Sequence, residues 1–110
     1  MRVAPAVNAD SNQVAVVNTN EMPWEKTEHP GVSRKVLEFV NDPRKGRETS
    51  LLKFEPGAKL PTETLVDRMD LFVVEGSYED GNGQYGQHTF IRNQSGYTHT
   101  PSSKSGCVLY

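Results

Sequence analysis

A chain of 110 residues with a formal net charge of −2 has room for one modest hydrophobic core, and it lacks the basic excess of a nucleic-acid binder. Its single cysteine, Cys107, excludes an internal disulfide and fits a reducing, cytoplasmic setting. No run approaches the roughly 18 apolar residues of a membrane helix, and the N-terminal stretch has Asn and Asp where a signal peptide carries a long apolar segment.

Residues 1–13 are mostly small and polar, which predicts a flexible arm ahead of a single domain over residues 14–110. Residues 14–17 form a short apolar run with the character of an edge strand. Pro23 and Pro30-Gly31 bracket a loop holding Trp24 and His29, the histidine reading as a surface residue. Residues 32–40 read as a strand, with Leu37 and Phe39 on one face. Asp42-Pro43-Arg44-Lys45-Gly46 is a turn, its basic residues solvated beside Asp42 and Glu48. Strands follow over 48–54 and, more weakly, 59–65. Residues 69–75 (MDLFVVE) are the strongest apolar segment and read as a central strand. A hairpin loop over 79–83 carries two glycines, and further strands are expected over 87–92, 97–100 and 106–110. About eight short strands without sustained helical periodicity point to an all-β barrel or jelly roll. Cys107 belongs in the core of the last strand, and no Ser-His-Asp order or phosphate-cradling glycine loop is present.

Two spaced patterns carry more. Gly57 is followed by five residues, then Glu63, one residue, Leu65, three residues, Met69, six residues and Gly76. His88 is followed by five residues, then Gln94, one residue, Gly96, two residues and His99. The first resembles the cupin motif of glycine, His-x-His, glutamate and glycine. The second resembles its partner motif of glycine, proline, glycine and histidine. Pro56-Gly57-Ala58, Val73-Val74-Glu75-Gly76, Glu79-Asp80, Arg92-Asn93 and Ser103 to Cys107 resemble the ChrR-type cupins in wording, as does Met22-Pro23-Trp24 followed by Pro30-Gly31-Val32. This family is named for a zinc-binding anti-sigma factor and includes oxygen-using enzymes that cleave diketone-like substrates. The resemblance spans residues 14–110 and implies a small RmlC-like jelly-roll β-barrel.

The family's ligand positions, two histidines, a glutamate and a later histidine, are held here by Glu63, Leu65, Met69 and His99. Leu65 offers no donor, and the Met69 thioether is too soft for the divalent ions that imidazole and carboxylate attract. Asp70, one residue along, belongs on the opposite face of its strand. The residues expected to line the pocket are Glu63, Leu65, Met69, His88, Arg92, Tyr97 and His99, with no catalytic residue and no cofactor in the main reading. Any metal held would be a divalent transition ion such as Zn, Fe, Mn or Ni on Glu63 and His99. The expectation is therefore a non-catalytic or regulatory module with a depleted metal site, which binds a small apolar ligand or a protein partner or is a scaffold that lost its metal, and a homodimer paired through its sheets, with residues 14–17 able to add to a neighbour's sheet edge. The alternative is a metal-dependent dioxygenase or isomerase on an altered set including Asp70 or His88. An anti-sigma role ranks lowest, since the chain leaves no length for the helical zinc domain.

Overall fold

The computed structural model describes residues 6–41 and 46–110. The predicted turn at 42–45 and the first five residues of the arm lie outside them. The fold is a 3-10 turn at Thr19–Glu21 and twelve strands: β1 Glu25–Lys26, β2 Val32–Val40, β3 Arg47–Phe54, β4 Ala58–Lys59, β5 Glu63–Thr64, β6 Met69–Gly76, β7 Tyr78–Glu79, β8 Gln84–Tyr85, β9 Phe90–Asn93, β10 Thr98–His99, β11 Ser102–Ser103 and β12 Cys107–Leu109. A six-stranded sheet runs β1-β2-β3-β12-β6-β9, a four-stranded one β4-β11-β7-β8, and β5 pairs β10. The core joins the two larger sheets. Val32, Phe54, Leu71, Val73, Ile91, Cys107 and Leu109 come from the first, and Tyr78 and half-buried Tyr85 from the second. This is the expected all-β jelly roll, with its sheets kept as separate ladders and not closed into one continuous barrel.

Alternation explains most of the ladder. Along β6, Met69, Leu71 and Val73 turn inward while Asp70 and Val74 are exposed. Along β9, Ile91 and Asn93 are buried and Phe90 and Arg92 exposed. Leu37 is skipped where the β2–β3 register shifts between Val36 and Glu38, a bulge that breaks simple alternation in β2.

Three local expectations change. Residues 14–17 are not a strand, and Val14 and Val16 are 92% and 90% exposed. The strand beside β2 is β1, inside the stretch read as loop. Trp24 fixes it there: Lys35 Nζ lies 4.5 Å and Lys53 Nζ 5.6 Å from its ring, and buried Lys35 also donates to the Thr19 carbonyl at 2.7 Å. Such cation–π contacts contribute about 0.5–2 kcal/mol, and the valine run has no comparable anchor. The strand expected over 59–65 splits at Pro61, which lacks an N–H, so β4 joins one sheet and β5 another. Two all-serine residues make β11, with no apolar signature to announce it. Within the arm, Val7 and Phe39 exchange backbone hydrogen bonds of 3.0 and 2.7 Å.

The β7–β8 hairpin is tied down by a buried acid. Asp80 is 1% exposed. Its Oδ1 accepts from the amides of Asn82 and Gly83 at 2.9 and 2.8 Å, and its Oδ2 accepts from the Tyr97 hydroxyl at 2.8 Å, with the Tyr85 hydroxyl at 3.5 Å. A buried carboxylate without donors would be strongly unfavourable, and these bonds offset that. The neighbours feel the charge. Burial and then Asp80 push the Tyr78 and Tyr85 hydroxyls above the ordinary tyrosine range, and the hydrogen bond to Asp80 raises Tyr97. Burial likewise raises the Cys107 thiol.

The unfolded chain releases these protons at lower pH than the folded one. Their contribution is therefore complete below the unfolded values and is lost as pH rises through the folded ones. Urea denaturation should give constant stability between about pH 6 and pH 8 and a decline above it that steepens beyond about pH 10, less steep in Tyr97→Phe. A flat profile to pH 11 would contradict this. A second expectation concerns Gly76, at φ +83, where an added Cβ would collide with the Gly106 carbonyl oxygen. Gly57, at φ +85, faces open space. Gly57→Ala should cost about 1–2 kcal/mol by conformation alone, and Gly76→Ala about 2–5 kcal/mol with overpacking added. Equal losses in chemical denaturation would remove the packing argument.

Candidate functional site

The β5–β10 pair carries the surviving polar residues of the two motifs. Its register sets His99 directly opposite Glu63. His99 Nε2 lies 2.9 Å from Glu63 Oε1; the imidazole is wholly buried and the Glu63 side chain 53% exposed. A carboxylate only accepts, so Nε2–H donates and, in the neutral imidazole, Nδ1 is left as a bare acceptor. That Nδ1 is buried without a partner. Two residues before His99, Tyr97 tilts against the imidazole at a centroid distance of 5.8 Å. Its hydroxyl accepts from Asn82 Nδ2 at 2.8 Å and donates to Asp80, so the β7–β8 hairpin orients the ring beside His99.

The other expected pocket residues divide. Leu65 is half-buried and locked by its backbone, its amide donating to Tyr97 and its carbonyl accepting from Gly96 at 2.9 and 2.7 Å. Met69 is half-buried against the core, opposite Asn93 across the β6–β9 ladder. Arg92 points outward instead. It grips Asp70 with Nε and Nη2 at 3.0 and 3.2 Å and lies 5.6 Å from the Phe90 ring. The guanidinium holds the Asp70 carboxyl below the usual carboxylate range. His88 is exposed at φ +69 and stacks on Phe72 at 6.1 Å. Strand parity is the reason: Asp70 and Arg92 are cross-strand partners on the solvent face, away from Met69 and Asn93.

A cavity of about 700 Å³ opens beside Glu63. Val32, Leu52 and Leu60 give it an apolar wall, and Arg34, His29 and Glu63 line its polar part. Of the seven expected residues only Glu63 borders it. Met69 borders a second cavity of about 620 Å³, and Leu52 and Glu48 line both. Three participants escaped the sequence reading. His29, read as surface, is half-buried and lines the first cavity. Asn93 is buried with Nδ2 unpartnered, and Asp80 supports Tyr97. The alternation of Ile91 and Asn93 against Phe90 and Arg92 was the available signal for Asn93. His29 had none, because it sits in the short turn between β1 and β2.

These residues do not fit a family-type metal centre. Catalytic sites use three protein ligands, and here two candidate donors satisfy each other while Leu65 and Met69 occupy the remaining positions. Among the described residues no group of three or more His, Cys, Asp or Glu is placed to hold a metal ion. Among them, too, no helix is long and apolar enough to cross a membrane.

Structural similarity agrees with this architecture. An RmlC-like cupin protein from Ralstonia eutropha JMP134 superposes with a TM-score of 0.74 at 20% identity, over 88% of this chain and 66% of that one. The complex of Rhodobacter sphaeroides SigE with the anti-sigma ChrR matches with a TM-score of 0.66 at 20% identity, over 84% of this chain but only 48% of that one. A putative acetylacetone dioxygenase from Methylibium petroleiphilum PM1 matches with a TM-score of 0.80 at 13% identity, over 88% and 74%. At such identities the likeness is one of fold. No curated protein matches the sequence. The ChrR cupin-like domain family model matches residues 12–110, and the chain belongs to that family.

Proposed function

We propose that this chain is a non-catalytic cupin module that binds a small, largely apolar ligand in the cavity beside Glu63. The observation that carries the reading is the 2.9 Å hydrogen bond between Glu63 and His99. It commits the imidazole Nε2 to a carboxylate, and Leu65 and Met69 put hydrocarbon and thioether where the family carries metal ligands. An apolar body against Val32, Leu52 and Leu60, with polar groups that meet Glu63 and the charged side chains of Lys26, Glu28, Arg34 and Glu48, suits the lining. The module works as a homodimer, and the burial of Cys107 suits the reducing cytoplasm.

The test uses the purified chain and the uncharged dye N-phenyl-1-naphthylamine, an apolar body with one N–H. Binding should enhance its fluorescence saturably, and Glu63→Ala should weaken it about tenfold, the worth of one hydrogen bond to a charged group. After incubation with Zn, Fe, Mn, Ni or Co and gel filtration, elemental analysis should find well under one ion per chain. Stoichiometric metal that disappears in His99→Ala would overturn the proposal in favour of a metal-dependent enzyme.

A further inference from the structure

An arginine guanidinium matches a carboxylate in a fixed, forked geometry. Two arginines of this chain make that match on the surface. Arg47 meets Glu38 at 2.8 and 3.1 Å, and Arg92 meets Asp70 at 3.0 and 3.2 Å. Arg34 is placed differently. It follows Val32 by two residues in β2, so the two share a face, and it stands opposite Leu52 of β3. All three line the cavity beside Glu63. The Arg34 side chain is only 33% exposed, yet its ion-pair partner, Glu48, lies 3.8 Å away, beyond hydrogen-bond reach. Glu48 Oε2 accepts instead from the Ser50 hydroxyl at 2.7 Å. Among the described residues, none accepts a hydrogen bond from the Arg34 guanidinium. A largely buried cation with open donors is unfavourable until something matches it.

The rest of the lining divides around this group. Lys26 and His29 border the same cavity and add to its attraction for an anion. Its acids are engaged or turned to water: Glu48 holds Ser50, and the Glu28 side chain is 87% exposed and 3.6 Å from His29. Glu63 is the exception. Its Oε1 accepts from His99 Nε2, and no described residue donates to its Oε2. Val32, Leu52 and Leu60 supply hydrocarbon wall. We propose that the occupant of this cavity is an amphipathic carboxylic acid that carries a hydroxyl. Arg34 grips its carboxylate, Val32, Leu52 and Leu60 cover its hydrocarbon, and its hydroxyl donates to Glu63. The inference rests on the ligand-binding reading of the cavity and names the ligand's class. It makes the site selective, because a neutral amide of the same shape brings one acceptor oxygen and no charge to the guanidinium.

The probe is 3-(4-hydroxyphenyl)propanoate, with 3-(4-hydroxyphenyl)propanamide and 3-phenylpropanoate as matched comparators. Each is titrated at neutral pH into the purified chain loaded with N-phenyl-1-naphthylamine, and loss of dye fluorescence reads displacement. The hydroxy acid should displace the dye at a concentration about tenfold or more below that of either comparator, the worth of one hydrogen bond to a charged group. In Arg34→Gln the acid and the amide should become equal, while the advantage conferred by the hydroxyl remains, which shows an intact cavity. The wild-type comparison decides the matter if that variant fails to fold. A chain that does not bind the dye overturns the ligand-binding reading and this inference with it. A chain that binds the dye but releases it equally to acid and amide, or to neither, overturns the inference alone. So does a preference for the acid that survives in Arg34→Gln.

Discussion

Strand β6 is held on both sides, by β12 and by β9, and its alternation admits one orientation. With Val73 wholly buried and Leu71 nearly so, a one-residue slip would drive Asp70 and Phe72 into the core. That constraint fixes Met69 on the inner face and sends Asp70 outward to Arg92. The composition of the site follows from it, because the carboxylate next to the family's glutamate position, Asp70, is turned to solvent and engaged in a bidentate ion pair.

The polar residues that remain are organised around one another. Glu63 and His99 satisfy each other across a two-residue ladder, and Tyr97 is held beside the imidazole by Asp80. Asp80 in turn takes two amide donors from its own hairpin, so the turn at Gly81 and the orientation of His99 are mechanically linked. Such a chain rigidifies a pocket, since each member is satisfied by the next. Its loose end is His99 Nδ1, buried and without a hydrogen-bond partner among the described residues. The cavity itself is bordered by Glu63 and not by His99, and its lining mixes apolar Val32, Leu52 and Leu60 with charged Lys26, Glu28, Arg34 and Glu48.

Much of the architecture was legible beforehand. Strands β2, β3, β6 and β12 stand close to their expected positions because each buries an alternating apolar face, and the ChrR-type wording identified the family. What escaped was set by tertiary contact. The pairing of β1 depends on Trp24 meeting Lys35 and Lys53, and the two-serine strand β11 has no pattern of its own. At the site, the spaced patterns point to Glu63 and His99, which β5 and β10 set face to face, whereas Arg92 and His88, also expected in the pocket, lie on the exposed surface. Strand parity turns Arg92 to the solvent face, and His88 lies outside the strand, exposed in a turn at φ +69. His29 enters the cavity through loop geometry that no local pattern encodes.

The central claim is that His99 serves Glu63 and not a metal. Nitrogen-15 NMR of the imidazole reads this directly, by reporting which ring nitrogen carries the proton. The Nε2 resonance should be that of a protonated nitrogen hydrogen-bonded to Glu63, unmoved by added zinc. A ring protonated only at Nδ1, or an Nε2 resonance that shifts stoichiometrically with zinc, would contradict it.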